Sequence, residues 1–174
     1  DPGNRTTWAT NGWGSTMSVR GSGMNTEILI GALNGAFRTF AILKPDANYV
    51  LSYTLITVPD APAGFCRLGL DWGPSPNTVW AKTANGNLYV IAYDLPSGSG
   101  SVVTSYPQAM TLPNIIRFVP PSFTGLKYDP ATGLLAGLQN GSPPTPVSLL
   151  VYDASNPDAV FQVDQELFPT YNAD

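Results

Sequence analysis

The chain has 174 residues, of which 43% are hydrophobic, and its eight basic and twelve acidic side chains give a net charge of -4. It contains no histidine and only one cysteine. Most of the side chains that enzymes use for proton transfer and metal binding are therefore missing, which argues against an enzyme. No two basic residues are adjacent, so the clustered cations that nucleic-acid binding needs are missing, and no apolar run is long enough to insert into a membrane.

Alternating apolar and polar residues predict β-strands throughout the first part of the chain. Residues 16–20, 26–33 and 36–43 are predicted as strands, with Asn34-Gly35 as a turn between the last two. Residues 48–58 form the longest alternation and are predicted to be a core strand with apolar side chains on both faces. A one-sided sheet does not need so many apolar positions, and this excess predicts self-association.

Turn residues predict two hairpins in the middle of the chain. Residues 60–64 are predicted to connect the long strand to a strand at 65–72, in which alternate residues point inward. The inward residues are Cys66, Leu68, Leu70 and Trp72, and the outward residues are Arg67 and Asp71. Asn85-Gly86 predicts a type I′ turn between strands at 79–83 and 88–94.

The second part of the chain is richer in proline and loops. Short strands are predicted at 101–105, 108–112 and 115–119, and residues 120–146 are predicted to be mostly loop. Within that segment, Leu134 to Leu138 is predicted as a helical turn. Residues 147–152 and 159–168 are predicted as a closing strand pair, with Phe161, Val163 and Leu167 facing inward.

These elements predict an all-β fold with about nine to eleven strands and almost no helix. The expected architecture is an antiparallel β-sandwich or barrel. Because no long polar segment divides the chain, residues 1–174 are predicted to form a single domain. Cys66 has no partner for an intrachain disulfide and is expected to be a small buried hydrophobe.

Two strand pairs carry a resemblance to a known family. Residues 49–55 followed by 64–72 resemble the central strand pair of jelly-roll coat proteins from small non-enveloped RNA viruses. Residues 148–152 with 161–169 look like the closing strands of those proteins. Such coat proteins usually carry an Arg- and Lys-rich arm that binds the genome, and this chain has none. The resemblance therefore implies a protruding surface domain, or a shell domain whose arm has been removed.

Two groups of acidic residues are candidates for chemistry. Asp164 and Glu166 lie two positions apart on one predicted strand, a separation of about 7 Å that a pair of glycosidase carboxylates could use. Carboxylates on the same face of a terminal strand are more often the solvated side of a sheet, which is the preferred interpretation. The loop 153–158 has oxygen-bearing side chains that could hold Ca²⁺, but Asx-turn capping is preferred because EF-hand spacing is missing. No metal or cofactor is therefore predicted.

Four residues in predicted loops are candidates for ligand binding. Trp8 and Trp13 lie in a Gly-, Asn- and Thr-rich segment, Trp80 follows a proline-containing turn, and Asn85 lies in the second hairpin turn. Exposed aromatic rings on a rigid β-scaffold could stack on sugar rings or on side chains of a partner. Trp72 has the parity of a core residue and is not included.

The sequence is interpreted as a non-enzymatic surface domain of a viral capsid, located on the virion surface. It would act in self-assembly as a dimer or trimer and in attachment to a host receptor or glycan. The alternative is a carbohydrate-binding module of a secreted or cell-surface protein. Because the chain has no histidine, stability is expected to be flat between about pH 6 and pH 8 unless the pKa of a carboxylate is strongly shifted. A chelator is expected to have little effect.

Overall fold

The computed structural model describes residues 13–32, 38–66, 69–83, 87–106, 123–139, 147–155 and 160–168. These residues form twelve strands, and the predicted all-β fold is confirmed. The strands are β1 (Trp13–Arg20), β2 (Glu27–Ala32), β3 (Thr39–Pro45), β4 (Leu51–Thr57), β5 (Gly69–Trp72), β6 (Thr78–Lys82), β7 (Leu88–Asp94), β8 (Ser99–Tyr106), β9 (Phe123–Asp129), β10 (Leu134–Gln139), β11 (Val147–Asp153) and β12 (Val160–Phe168). Helical residues in these ranges are confined to a 3-10 turn at Gly23–Asn25, and no helix among them could cross a membrane.

The strands form three successive antiparallel meanders of four strands each. The first meander is β1 to β4, the second is β5 to β8 and the third is β9 to β12. The first two meanders join along β4 and β8, which pair in parallel through Thr57 and Ser99, and so form one sheet of eight strands. Because the end strands β1 and β5 lie side by side, this sheet nearly closes into a barrel.

The inward faces of the first two meanders bury the larger hydrophobic core. Phe40 lies at its centre and makes edge-to-face ring contacts with Phe65, at 6.4 Å between centroids, and with Tyr93, at 6.1 Å. Leu29 and Ile91 are fully buried in the same core. Each such side chain contributes roughly 1.5–3 kcal/mol through its removal from water. This interior is what holds the barrel-like sheet together.

The third meander packs against the outward face of the second meander. Leu135 of β10 is buried against Trp80 and Leu88, and Tyr128 of β9 contacts the Trp80 ring with the centroids 6.2 Å apart. Strands β5 and β6 are consequently covered on both faces, and every residue of these two strands is buried. A strand covered on both sides is apolar without a strict alternation, as the sequence Val79-Trp80-Ala81 is.

Several sequence predictions of the strands are confirmed. Strands β6 and β7 form the predicted hairpin, and β11 and β12 form the predicted closing pair. Cys66 is a free, fully buried thiol, and Trp72 is a core residue. The predicted strands at 108–112 and 115–119, the turns Asn34-Gly35 and Asn85-Gly86, and the pair Arg67 and Leu68 lie outside the described residues.

Three predictions of local structure are wrong. Leu134 to Leu138 lies in a strand, because β9 and β11 hydrogen-bond to β10 on both of its sides. Residues 60–64 do not close a hairpin, since β4 pairs with β3 and β8 while β5 pairs with β6. The first half of the strand predicted to be core is exposed, and Tyr49 lies in the turn before β4 with a positive φ of 59°.

Candidate functional site

The two end strands of the eight-stranded sheet meet at a seam that side chains bridge. Thr16 of β1 donates a hydrogen bond from Oγ1 to the carbonyl oxygen of Cys66 at 3.4 Å. Lys127 of β9 donates from Nζ to Ser18 Oγ of β1 at 3.4 Å and contacts both carboxylate oxygens of Asp71 of β5. Lys127 therefore links all three meanders at one point.

Asp71 is buried at the seam, whereas the alternation predicted that it would point into solvent. Only 1% of its surface is exposed, because β9 crosses over the outward face of β5. Its Oδ1 accepts the backbone N–H of Trp72 at 2.9 Å, and its Oδ2 accepts the backbone N–H of Tyr128 at 2.6 Å. A buried carboxylate needs such donors, and here they tie the third meander to the second.

Arg20 contacts two aromatic side chains of the barrel core. Arg20 lies over the Trp72 ring, 3.7 Å from its centroid, and its Nη2 donates to the Tyr93 hydroxyl at 3.0 Å. Glu27 accepts from Arg20 Nε at 2.7 Å and also pairs with Lys44. Burial raises the pKa of Glu27, but the hydrogen bonds and charges of Lys44 and Arg20 outweigh this and hold it below its ordinary value. Burial also raises the pKa of Tyr93.

A cleft of about 800 Å³ opens beside this arginine, which is within the usual size of small-ligand sites. Its walls are the end of β1 at Val19 and Arg20, the end of β5 with the following turn 73–77, and residues 127–130 at the end of β9 and the start of the next turn. We call it the seam cleft. Asn77 lies in the turn with a positive φ of 57°, and its carbonyl oxygen accepts the N–H of Tyr93 at 2.9 Å. Both charged and apolar groups therefore line the seam cleft.

A second surface is the outward face of the first meander. The strand registers place uncharged residues at every outward position: Met17, Val19, Ile28, Ile30, Thr39, Ala41, Leu43, Pro45, Leu51, Tyr53, Leu55 and Thr57. We call this the uncharged sheet face. At its margins Met17 is 67% exposed, Val19 52% and Leu51 51%, whereas Ala41 and Leu43 on the central strand β3 are buried. Within the described residues, the main contacts of the third meander are with β5 and β6.

Lys82 is a fully buried residue between the barrel and the third meander. It lies beside Gly69 in the register of β5 and β6, and a Cβ at Gly69 would come within 3.2 Å of Lys82 Cε and 3.0 Å of Leu126 Cβ. Burial lowers the pKa of Lys82 to about 7. The expectation that no group titrates between about pH 6 and pH 8 is therefore wrong, because composition does not reveal a buried lysine.

The structure moves one predicted binding residue into the core. Trp80 was expected in an exposed turn, but it is 1% exposed because its indole is enclosed between β6 and the third meander, near Tyr106 and Tyr128. Its ring cannot stack on a ligand at the surface. Trp13 begins β1 opposite Ala32, while Trp8 and Asn85 lie outside the described residues. The four candidates are thus not brought together by the described structure.

Asp153, one of the acidic candidates, has a structural role. Asp153 Oδ1 accepts from the backbone N–H of Ser155 at 2.8 Å and from its hydroxyl at 2.6 Å, which is the predicted Asx-type turn. These hydrogen bonds, the side-chain one first, lower the pKa of Asp153. Residues 156–158 of the predicted calcium loop lie outside the described ranges, within which no group of three metal-ligating side chains occurs. Asp164 and Glu166 belong to β12.

Sequence reasoning missed the residues that build the seam cleft. Arg20 and Trp72 are distant in sequence and meet only because β1 and β5 close the barrel. Lys127 lies in a segment predicted to be loop. No local pattern marks such residues, although an isolated charge at the end of an apolar strand, as at Arg20, is a weak signal.

In comparisons with known proteins, no family model and no curated protein sequence matched this chain.

Proposed function

We propose that this chain is a non-enzymatic surface domain of a viral coat protein, which associates with copies of itself and attaches the virion to a host receptor or glycan. The observation that carries the proposal is the set of large apolar side chains that the uncharged sheet face leaves in water at its margins, namely Met17, Val19 and Leu51. Extended exposed apolar surfaces of soluble proteins are typically sites of protein association. A place on the outside of the virion accords with this function.

The seam cleft supports the attachment part of the proposal. Arg20 and Lys127 contribute positive charge to its walls, and Asp71 and Asp129 contribute negative charge. Because these charges nearly cancel, a strongly charged ligand gains little, whereas a neutral saccharide finds donors, acceptors and apolar surface together. A neutral saccharide is the ligand class that fits best.

Self-association is tested by light scattering on the full chain over increasing concentration. We expect the apparent mass to rise from monomer toward dimer or trimer as the concentration rises, because isolated surface domains associate weakly. A chain that stays monomeric at high micromolar concentration would contradict the assembly role.

Attachment is tested on a glycan array with a matched pair of variants. Asn77→Gly removes an amide from the seam cleft and keeps a residue that tolerates the positive φ of 57°. Asn48→Gly removes an exposed amide from the turn between β3 and β4, outside the cleft. We expect the first variant, and not the second, to lose the signal of the wild type. Equal binding by both variants would place saccharide recognition elsewhere.

A carbohydrate-binding module of a secreted or cell-surface protein is the second candidate. The seam cleft favours it, since that function needs a ligand site and no self-association. The two candidates differ in one measurement: saccharide binding by a strict monomer would favour the module, and concentration-dependent association would favour the coat-protein domain.

A further inference from the structure

Lys82 is a charged residue in a largely apolar contact between the second and third meanders. It is fully buried, and its neighbours on the outward face of the sheet are Gly69 of β5, Leu88 of β7 and Trp80 of β6. Leu126 of β9 covers this face, because a Cβ at Gly69 would lie 3.0 Å from Leu126 Cβ and 3.2 Å from Lys82 Cε. We call this contact the meander junction.

The meander junction is separate from the core of the barrel. Among the described residues, the core around Phe40 is built from the first two meanders alone. The junction has its own apolar cluster, to which the third meander contributes the fully buried Leu135. One hydrogen bond across it runs from the Tyr128 N–H to Asp71 at 2.6 Å. The third meander can therefore separate from the second without opening the barrel core.

The charge of Lys82 affects how tightly the two layers hold together. Burial removes the water that an ammonium group needs and lowers the pKa of Lys82 to about 7. Separation of the layers returns water to the amine, whose ordinary pKa is 10.5. Between these two values the separated state holds a proton that the closed state has released, so a fall in pH favours separation.

The strands that pack at the meander junction carry few other titratable groups. Among the described side chains outside the barrel core, these groups are Asp71 of β5, Asp94 of β7, Tyr106 of β8, Lys127, Tyr128 and Asp129 of β9, and Asp153 of β11. The residues of β10 carry no charge. Aspartate, tyrosine and lysine side chains in water titrate at about pH 4, 10 and 10.4. A response between about pH 6 and pH 8 therefore points to Lys82.

We propose that the meander junction is a pH-sensitive contact, in which protonation of Lys82 favours separation of the third meander from the second while the barrel stays folded. Separation uncovers Trp80 and Leu88, which the third meander keeps from water. The fraction of separated molecules should be about tenfold larger at pH 6 than at pH 8. The inference concerns the chain alone and goes beyond the proposed function.

Amide hydrogen exchange of the full chain, read by NMR at pH 6 and pH 8, tests this inference. The Tyr128 amide reports on the junction, since its hydrogen bond crosses to Asp71, and the Ile42 amide reports on the barrel. Each exchange rate is divided by the intrinsic rate of an unfolded chain at the same pH, which gives the open fraction at that amide. We expect the open fraction at Tyr128 to be about tenfold larger at pH 6 than at pH 8. At both pH values it should exceed the open fraction at Ile42 by at least about a hundredfold.

Two variants assign the response to Lys82. Lys82→Met removes the amine that titrates, and Lys44→Met makes the same replacement on β3, where the lysine pairs with Glu27. In Lys82→Met we expect the open fraction at Tyr128 to agree within about twofold at the two pH values, whereas Lys44→Met should keep the tenfold change of the wild type.

Three results would overturn the inference. The first is an open fraction at Tyr128 that does not change between pH 6 and pH 8 in the wild type. The second is an equal open fraction at Tyr128 and Ile42, which would mean that the layers separate only when the barrel unfolds. Both of these are measured on the wild type and hold even if Lys82→Met does not fold. The third is a tenfold change that persists in Lys82→Met.

Discussion

Lys82 makes the stability of this fold depend on pH near neutrality. Its pKa falls from 10.5 to about 7 on folding, because the side chain is buried between the barrel and the third meander. Between these two values the unfolded chain holds a proton that the folded chain has released, so the free energy of unfolding rises with pH. Below about pH 7 both states are protonated and the full penalty applies.

The size of the effect follows from the two pKa values. At 1.36 kcal/mol per pH unit, the difference between 10.5 and about 7 corresponds to a full penalty of about 5 kcal/mol. Between about pH 7 and pH 9, about 2 kcal/mol of that penalty is relieved. Tyr93, whose pKa is raised by burial, has the opposite effect on stability, but only as the pH rises through about 10 and above.

Urea unfolding of the wild type, Lys82→Met and Lys44→Met at about pH 7, 8 and 9 measures this dependence. Lys82→Met replaces the buried amine with an apolar side chain of similar length that does not titrate, and we expect it to abolish the rise of stability with pH. Lys44 is partly exposed, and its replacement should leave the rise of stability with pH unchanged. A wild-type stability that is flat or falls over this range would show that the fold keeps Lys82 charged.

Three further substitutions test the packing described above, each by thermal or urea unfolding. Trp80→Ala should lower the free energy of unfolding by about 3–5 kcal/mol, because it empties the space between the two sheets. Tyr49→Ala, on an exposed turn, should lower it by under about 0.5 kcal/mol. Equal losses for the two variants would contradict the burial of Trp80. Asp71→Asn should lower the free energy of unfolding by about 1–3 kcal/mol, because it weakens the acceptor of two backbone N–H groups. Lys127→Met should lower it by under about 1 kcal/mol. A larger loss for Lys127→Met than for Asp71→Asn would mean that the ion pair, and not the backbone hydrogen bonds, stabilises the seam. Gly31→Ala brings a Cβ within 2.6 Å of the Cys66 carbonyl oxygen and should lower the free energy of unfolding by about 1–3 kcal/mol. A variant that melts at the same temperature as the wild type would contradict this close approach at the seam.

Local sequence patterns predicted the strands whose partners in the sheet are also their neighbours in the sequence. Strands β6 and β7 are adjacent in sequence and in the sheet, so alternation and one turn dipeptide were sufficient. Leu134 to Leu138 was misassigned because a short apolar run is equally compatible with a helix and with a buried strand. Its assignment depends on hydrogen bonds from both neighbouring strands, which the run itself does not encode.

Trp80 and Asp71 are buried by the third meander, a layer that the alternation of apolar and polar residues does not reveal. A period of two separates two faces of a strand, but it does not show whether a second sheet covers the outward face. Val79-Trp80-Ala81 is apolar at three consecutive positions, and this was the available signal that both faces of β6 are buried. The seam cleft could not be predicted, because it exists only where β1, β5 and β9 meet.

The division into three meanders has a consequence for folding kinetics. Within each meander every strand pairs with a neighbour in sequence, whereas β4 joins β8 through the single bridge between Thr57 and Ser99. Local pairings close short loops and form quickly, while barrel closure must bring together residues far apart in the chain. We therefore expect the meanders to form first and the barrel to close last. A substitution at Ser99 should then accelerate unfolding with little change in the folding rate, as stopped-flow measurements would show.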